Sequence, residues 1–327
     1  MNVLVTGGCG YVGSHIVKRL SENGYKVIVL DNLSTGFREM LIHAEKLIVG
    51  DLSDTYFLDE VFSQNNIESV IHCAASRVVE ESVVDPLKYY SNNTKNTLNL
   101  IKACLDNKVK KFLFSSTAAV YGTPQSGVAE EDTPLVPINP YGASKMMSEK
   151  MLVDCAKAYD LNYVILRYFN VAGADPQSRI GLKRDKCTLL IKACCEAAAK
   201  QRKNIEIFGT DLDTPDGTCI RDYIHVEDLA DAHLKALEYQ NAGKPSIILN
   251  VGYGEGHSVK EVIQSVKKIS GVNFDVVESS PREGDPVALT AKTEKIERVL
   301  GWIPRFNSLD KIVLDSWNWE KKNLGIN

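Results

Sequence analysis

The side chains best suited to do chemistry are those of a tyrosine and a lysine four positions apart. Tyr141 and Lys145 follow Pro140 at the start of a predicted helix, so their side chains share one face at i, i+4 spacing. A third polar group, Thr117, closes an apolar strand. A phenol, an amine and a hydroxyl that converge at one strand end can manage a proton while a cofactor handles a hydride. Because tyrosine and lysine are common, it is the placement of this pair, and not its spacing, that carries the prediction.

A glycine-rich turn near the first residue predicts where such a cofactor binds. Gly7, Gly10 and Gly13 give the spacing G-x-x-G-x-x-G directly after the apolar run of residues 3–5. This variant of the dinucleotide fingerprint provides a tight turn, close approach of the backbone to a pyrophosphate and close packing of a helix. The helix that begins near Tyr11 points its positive end at the phosphates. We therefore expect a dinucleotide at this turn.

Two aspartates follow the next predicted strands. Asp31 ends the second strand, where a carboxylate can accept hydrogen bonds from the adenosine ribose. The same negative charge repels a 2′-phosphate, so NAD is expected and not NADP. Asp51 ends the third strand and is a candidate for the adenine side, with a purely structural role as the alternative.

A tyrosine needs help to act as a base, because its unperturbed pKa is about 10. An ammonium from Lys145 and a positive nicotinamide ring would both stabilise the phenolate. Tyr141 can then remove a proton from a sugar hydroxyl near neutral pH, while Thr117 hydrogen-bonds and orients the same hydroxyl.

The elements that must position these groups follow an alternating pattern of strands and helices. The apolar runs are continuous, which is typical of a parallel sheet covered on both faces. The predicted fold class is α/β, a Rossmann-type doubly wound parallel sheet with a smaller C-terminal α/β lobe. We expect residues 1–170 to form the NAD-binding domain, with 221–252 returning to it, and residues 171–327 to form the substrate lobe. The predicted strands are 26–30, 46–49, 69–71, 111–114 and 163–166, and the predicted helices of this half include 56–65, 86–107 and 141–159.

Composition excludes several other classes of protein. The chain has 327 residues and a formal net charge of −4, without the clustered basic surface of a nucleic-acid binder. No apolar run approaches the roughly 18 to 20 residues that span a bilayer, and no signal peptide pattern precedes the glycine turn. A cytoplasmic protein with reduced cysteines is expected. The six histidines lack metal-ligand spacing, so no metal site is expected.

In combination these motifs resemble the extended short-chain dehydrogenase/reductase family over nearly the whole chain, and its UDP-glucose 4-epimerase branch most closely. The resemblance implies an isomerase that keeps NAD bound, oxidises C4 of a UDP-hexose, lets the 4-keto sugar rotate and returns hydride to the opposite face. UDP-glucose and UDP-galactose then interconvert in galactose metabolism, and the enzyme is a homodimer. The stretches that carry this closer resemblance are residues 3–8, 30–33, 89–93, 166–170 and 221–226.

The resemblance also implies roles for individual residues. The implied catalytic residues are Thr117, Tyr141 and Lys145. The residues implied to contact NAD are Gly7, Gly10, Tyr11, Val12, Gly13, Asp31, Asn32, Ser34, Gly36, Asp51, Leu52, Cys73, Ala74, Ala75, Arg77, Asn92, Tyr141, Lys145 and Phe169. Guanidinium groups suit a diphosphate because they offer paired donors. The residues implied to contact the UDP-hexose are Thr117, Tyr141, Asn170, Leu190, Phe208, Arg221, Arg282 and Asp285.

Three positions depart from the family pattern. Arg77 stands where many members have lysine, and Leu189 stands where a polar asparagine or histidine is usual. Leu289 matches a position that lines the sugar pocket, where a bulky side chain is associated with exclusion of N-acetylated hexoses.

The sequence leaves three alternatives open: an epimerase of UDP-GlcNAc and UDP-GalNAc, an epimerase of UDP-glucuronate, and a non-catalytic NAD-binding regulator. A non-catalytic regulator would have little need of Tyr141 and Lys145 placed together with Thr117. A 4,6-dehydratase is disfavoured, because Ala118 and Ala119 offer no acid or base for the elimination of water.

Overall fold

A parallel sheet forms the largest layer of the molecule. The computed structural model describes residues 1–183, 187–282 and 285–326. The strands are β1 (Asn2–Thr6), β2 (Lys26–Asp31), β3 (Lys46–Val49), β4 (Ser69–His72), β5 (Lys111–Thr117), β6 (Val128–Ala129), β7 (Asn162–Tyr168), β8 (Asn170–Ala172), β9 (Asn204–Phe208), β10 (Ile220–His225), β11 (Ile247–Val251), β12 (Gly256–Ser258), β13 (Asp275–Ser279) and β14 (Ala288–Ala291). Within the described residues, the large sheet has seven parallel strands in the order β11-β7-β5-β4-β1-β2-β3.

Helices cover both faces of the large sheet, because its strands carry apolar side chains on both. Val3 and Val5 of β1 point into the core formed with one helix layer, whereas Leu4 points into the core on the other side. The helices are α1 (Tyr11–Glu22), α2 (Thr55–Asn65), α3 (Val79–Val84), α4 (Pro86–Tyr89), α5 (Asn96–Asp106), α6 (Pro140–Ala158), α7 (Leu190–Ala198), α8 (Val226–Asn241), α9 (Val259–Ser270), α10 (Glu294–Leu300) and α11 (Leu309–Leu324). Residues of α1 and α8 line one core, and residues of α2, α5 and α6 line the other. The predicted doubly wound α/β class is confirmed.

The helix predicted over residues 86–107 is divided. Asp85 caps α4 by accepting from the Lys88 N–H, and a π-helical segment, Tyr90–Lys95, then leads into α5. Within the divided region, the Thr97 hydroxyl of α5 donates to the Asn93 carbonyl of the π-helical segment. Single π turns inside helices are frequent at functional sites.

A second sheet forms where the two halves of the chain meet. In it, β10 pairs with β8, β12 and β14, and β14 pairs in turn with β6. Of the segment 221–252, helix α8 packs against α1 and strand β11 pairs with β7 in the large sheet. Strand β10 belongs to the second sheet and not to the large one.

The C-terminal part builds its own core. Apolar residues of α7, α9 and α11 pack together with the β9–β13 ribbon around Ile191, Val262 and Val313. No described helix combines the length and the apolar character needed to cross a bilayer.

Candidate functional site

The glycine turn between β1 and α1 has no room for side chains. Gly7 has a φ of +72°, and a Cβ on it would lie 2.7 Å from the Ala74 nitrogen. A Cβ on Gly13 would lie 2.1 Å from the Gly7 carbonyl oxygen. Gly10 begins α1 without a side-chain cap, and the first turn carries no acidic residue. The turn is therefore a cradle that fits a pyrophosphate, held against backbone N–H groups and the helix dipole.

The acidic residues expected near adenosine lie beside this turn. Asp31 accepts the Cys9 N–H at 2.9 Å and the Leu33 N–H at 2.8 Å, so its carboxylate joins the glycine turn to the end of β2. Asn32 donates to Asp51 at 2.7 Å. Burial raises the pKa of Asp51, but hydrogen bonds from Asn32 and Ser53 outweigh burial and hold the pKa below its usual value.

The other two residues expected on this side follow Asn32 in the same loop. Ser34 bonds to the Asn32 side chain through both its N–H and its hydroxyl. The segment then folds back on the glycine turn, and a Cβ on Gly36 would lie 2.8 Å from that of Cys9. Leu52 is buried in the core instead and accepts a bond from Asn99 on its carbonyl.

The phenol and the hydroxyl predicted to act together do meet. Asn139 caps α6 by accepting the Gly142 N–H, which places Tyr141 in the first turn of the helix. Its side chain hydrogen-bonds to Thr117 at the end of β5. Burial raises the pKa of Tyr141, while Thr117 and the Arg77 guanidinium act in the opposite direction.

The predicted partner lysine reaches the strand and not the phenol. Lys145 donates from Nζ to the Ser115 carbonyl at 2.8 Å and lies 4.7 Å from the centre of the Phe114 ring. Burial lowers its pKa to about 8, against the opposing effects of Cys73 and Glu149. The cation that lowers the pKa of Tyr141 is Arg77. The expected influence of Lys145 on the phenolate is therefore exerted by Arg77 in this structure.

The segment Cys73–Arg77 lies next to these groups and is held by two asparagines of the π-helical segment. Asn93 accepts the Ser76 N–H at 2.8 Å and donates to the Ser76 carbonyl at 2.9 Å. Asn92, which the sequence singled out, donates to the Ser76 hydroxyl at 3.1 Å. Sequence reasoning missed Asn93, although it belongs to the same stretch 89–93. These bonds hold the segment whose Ala74 backbone lies against the Gly7 turn.

A pocket lies between β8, α1 and α7. Asn170 and Leu190, which the resemblance implied as contacts of the UDP-hexose, line it together with Leu189. Tyr11 contributes its ring, and its hydroxyl donates to the Gly173 carbonyl at 2.6 Å. The sequence analysis did not identify three further lining residues, which only the tertiary fold brings here: Lys192, Tyr223 and Trp319.

The residues expected to hold the nucleotide and phosphates form two pairs. Arg221 donates to Asp285 at 3.1 Å. The Arg282 guanidinium stacks 3.7 Å above the Phe208 ring and donates to Glu80 at 3.0 Å. The intervening positions 283 and 284 of the Arg-Glu-Gly-Asp stretch lie outside the described residues.

Two further expected positions pack together beside Thr117. Phe169 and Leu289 are both buried in one apolar cluster with Ala118. Leu289 therefore lies close to the strand end that carries the reacting groups. In the part of the chain that the structure describes, no cluster of three or more histidine, cysteine or acidic side chains is placed to hold a metal ion.

Known proteins resemble this chain over its whole length. A model of the NAD dependent epimerase/dehydratase family matches residues 3–252. The UDP-glucose 4-epimerase of Azospirillum brasilense is 50% identical over 319 residues, which are 98% of this chain and 92% of that protein. The structure of UDP-glucose 4-epimerase from Brucella ovis in complex with NAD has a TM-score of 0.94 at 42% identity, covering 98% of each chain. The UDP-Glc/GlcNAc 4-epimerase from Campylobacter jejuni has a TM-score of 0.87 at 46% identity, covering 98% of this chain and 99% of its own.

These matches confirm the resemblance drawn from the motifs, and with it NAD as the cofactor. The family model spans most of the large sheet, including β1, β5 and β7. The chain belongs to the NAD dependent epimerase/dehydratase family.

Proposed function

We propose that this protein interconverts UDP-glucose and UDP-galactose by reversible oxidation at C4 of the hexose. The observation that carries the proposal is the hydrogen-bonded pair of Tyr141 and Thr117 at the carboxyl end of β5. The glycine turn lies at the carboxyl end of β1, in the same parallel sheet. Because the carboxyl ends of parallel strands meet at one edge, the acid–base pair and the cofactor cradle share that edge.

Each side chain has a defined task in this reaction. Tyr141 accepts the proton of the sugar 4-hydroxyl and later returns it, and Thr117 holds that hydroxyl in line with the phenol. Arg77 favours the phenolate through its charge. NAD, when bound, supplies the acceptor and donor of the hydride. Lys145 lies buried beside Phe114, where we propose that its ammonium holds the cofactor.

We propose that the second group of residues binds the UDP part of the substrate. Arg221 and Arg282 are available for the diphosphate, since the ion pair that each makes with a described residue is to a partly exposed carboxylate. The face of the Phe208 ring stacks on the planar guanidinium of Arg282. Asn170 and Leu190 line the cavity between this group and the α1 turn.

The test is whether the purified protein epimerises UDP-galactose without added cofactor. We expect UDP-glucose to form, and NAD to appear in the supernatant after denaturation. Tyr141→Phe should lower kcat by roughly 10²- to 10⁴-fold and keep the native NAD content. Tyr159→Phe, an exposed tyrosine just beyond the other end of α6, is the matched control and should keep native kcat. A Tyr141→Phe protein with native kcat would contradict the proposal and favour a non-catalytic NAD-binding role.

A second substrate class is favoured by one position. Leu289 is smaller than an aromatic residue and lies in one buried cluster with Phe169 and Ala118, the residue that follows Thr117. The Campylobacter jejuni relative is named a UDP-Glc/GlcNAc 4-epimerase. We therefore propose that UDP-GlcNAc is turned over as a secondary substrate, with lower kcat/KM than UDP-glucose. The test is to measure kcat/KM for UDP-glucose and UDP-galactose and for UDP-GlcNAc and UDP-GalNAc. A preference for the acetylated sugars would contradict UDP-glucose as the main substrate.

We also propose that the protein is a homodimer in the cytoplasm. Helices α5 and α6 pack side by side and expose Leu98 and Met147, with relative exposures of 49% and 41%. Two copies of this helix pair can bury those side chains in a four-helix bundle. Sedimentation equilibrium should give twice the chain mass, and Leu98→Glu should give the monomer. All eight cysteines are unpaired, which suits a reducing compartment.

A further inference from the structure

We propose that His233 is a positioning residue for the active site, acting through Ser115 on Lys145. This inference deepens the proposed function and rests on it. His233 lies on α8, is fully buried and does not belong to the residues assigned to NAD or substrate. Ser115 lies on β5, two positions before Thr117, and is also fully buried.

The hydrogen bonds of His233 fix its tautomer. Its Nδ1 lies 2.9 Å from the Leu229 carbonyl oxygen, which can only accept, so Nδ1 carries the proton. Its Nε2 lies 2.9 Å from the Ser115 hydroxyl and must therefore accept. Burial supports this state, because it lowers the pKa of His233 to about 4 and keeps the ring neutral.

The tautomer of His233 sets the direction of every bond at Ser115. The only hydroxyl proton of Ser115 goes to His233, so its oxygen must accept from its other neighbours. Those neighbours are the Cys73 thiol, with Sγ at 3.3 Å, and the Tyr168 hydroxyl. Burial raises the pKa of the Cys73 thiol to about 11 and that of Tyr168 well above its usual value, so both keep the proton that they donate. The hydroxyl of Ser115 thus uses its one donor and both acceptor positions.

This saturated hydroxyl fixes the backbone that holds Lys145. The carbonyl of Ser115 accepts the Lys145 ammonium at 2.8 Å. On the opposite face of the same strand, the next residue, Ser116, donates to Glu149 of α6. Consecutive residues of β5 are therefore tied to helices on both sides of the sheet, and the strand end with Thr117 cannot rotate. Loss of the His233 acceptor would turn the Ser115 proton towards Cys73 or Tyr168 and break a hydrogen bond that the Ser115 oxygen now accepts.

The test compares two substitutions at one position. Gln can place a carbonyl oxygen near the site of Nε2, whereas Leu cannot accept a hydrogen bond. We expect His233→Leu to lower kcat about tenfold and leave KM for UDP-galactose within about twofold, because the UDP contacts lie in the other lobe. His233→Gln should recover most of kcat. In the double variant Ser115→Ala/His233→Leu, kcat should fall no further than in His233→Leu, because both changes remove the same interaction.

A binding measurement separates failure of this inference from failure of the proposed function. Because Lys145 is proposed to hold NAD, His233→Leu should weaken NAD binding to the stripped protein about three- to tenfold, and Gln should restore it. If the native protein had no epimerase activity, the epimerase proposal would be wrong. The comparison of NAD affinities would still decide the role of His233. Unchanged NAD affinity in His233→Leu, unchanged kcat in an active enzyme, or multiplicative losses in the double variant would each overturn the inference.

Discussion

The carboxylate of Asp31 belongs to the protein's own framework as much as to the cofactor site. Its two oxygens accept the backbone N–H groups of Cys9 and Leu33, and its remaining lone pairs are open to ribose hydroxyls. The side chain is 8% exposed, so water offers little replacement for these bonds. Selection of NAD and the shape of the glycine turn therefore depend on the same two atoms.

Replacement of Asp31 should reveal both tasks. Asp31→Ala leaves two backbone N–H groups unpaired and removes the charge, so we expect NAD affinity to fall about 100-fold and the preference for NAD over NADP to weaken. Asp31→Asn keeps one acceptor and should lose less. Asp54→Ala is the control, because Asp54 also accepts a backbone N–H, at the start of α2, away from the cradle. Titration calorimetry of the stripped protein measures the affinities, and native NAD affinity in Asp31→Ala would contradict both roles.

At the next scale, the turn between β1 and α1 depends on contact distance more than on glycine flexibility. A Cβ on Gly13 would overlap the Gly7 carbonyl, whereas one on Gly10 would lie 3.2 Å from it, a tight contact that a small shift of the turn relieves. Gly13→Ala should therefore separate α1 from β1, abolish NAD retention and lower the melting temperature. Gly10→Ala, three residues away, should keep the fold with weaker NAD binding. Thermal unfolding and the NAD content of the purified variants test this, and equal behaviour of the two variants would refute the steric argument.

Helix α6 is joined to strand β7 by a buried ion pair. Arg167 donates to both oxygens of Glu149 and also to Tyr121, and both charged side chains are 3% exposed. Removal of one partner leaves the other charge buried and unpaired in the core, so Arg167→Met should lower the free energy of unfolding by about 3 to 5 kcal/mol. The double change Glu149→Met/Arg167→Met should recover much of that loss. The exposed pair Lys150–Asp154 on the same helix is the control, and its removal should have little effect.

How far the sequence predicts such elements depends on the range of the interactions that form them. The strands of the large sheet and the turn at Gly7 follow from local apolar runs and spacing, and both were predicted. The pairing of β6 with β14 joins residues more than 150 positions apart, which no local pattern encodes. The same holds for Asn93 and His233, since their roles come from partners on other elements. The π-helical segment was missed because helical spacing continues through it.

At the scale of the whole molecule, buried histidines couple folding to pH. His15, His72 and His233 are fully buried, and burial lowers the pKa of each below its usual value. For His15, the hydrogen bond to Glu227 opposes burial without cancelling it. His72 of β4 hydrogen-bonds to Thr6 of the neighbouring strand β1 and to Thr97 of helix α5. All three therefore remain neutral in the folded protein at pH values where the unfolded chain is protonated.

We therefore expect the protein to lose stability in mild acid, at pH values higher than those at which carboxylates become protonated. At His233 the unfolded chain binds a proton that the folded chain excludes between about pH 6.5 and 4, so the free energy of unfolding falls as pH falls, by about 1 kcal/mol per pH unit in that window. His15 and His72, whose pKa values are also lowered by burial, act in the same direction. Denaturant melts at intervals across this window give the number of protons from the slope. His233→Gln should reduce the slope by about one proton. If the free energy of unfolding stayed constant down to pH 4.5, the folded protein would have to accept charged imidazoles. That result would contradict the prediction, which rests on the burial and the hydrogen bonds of His72 and His233.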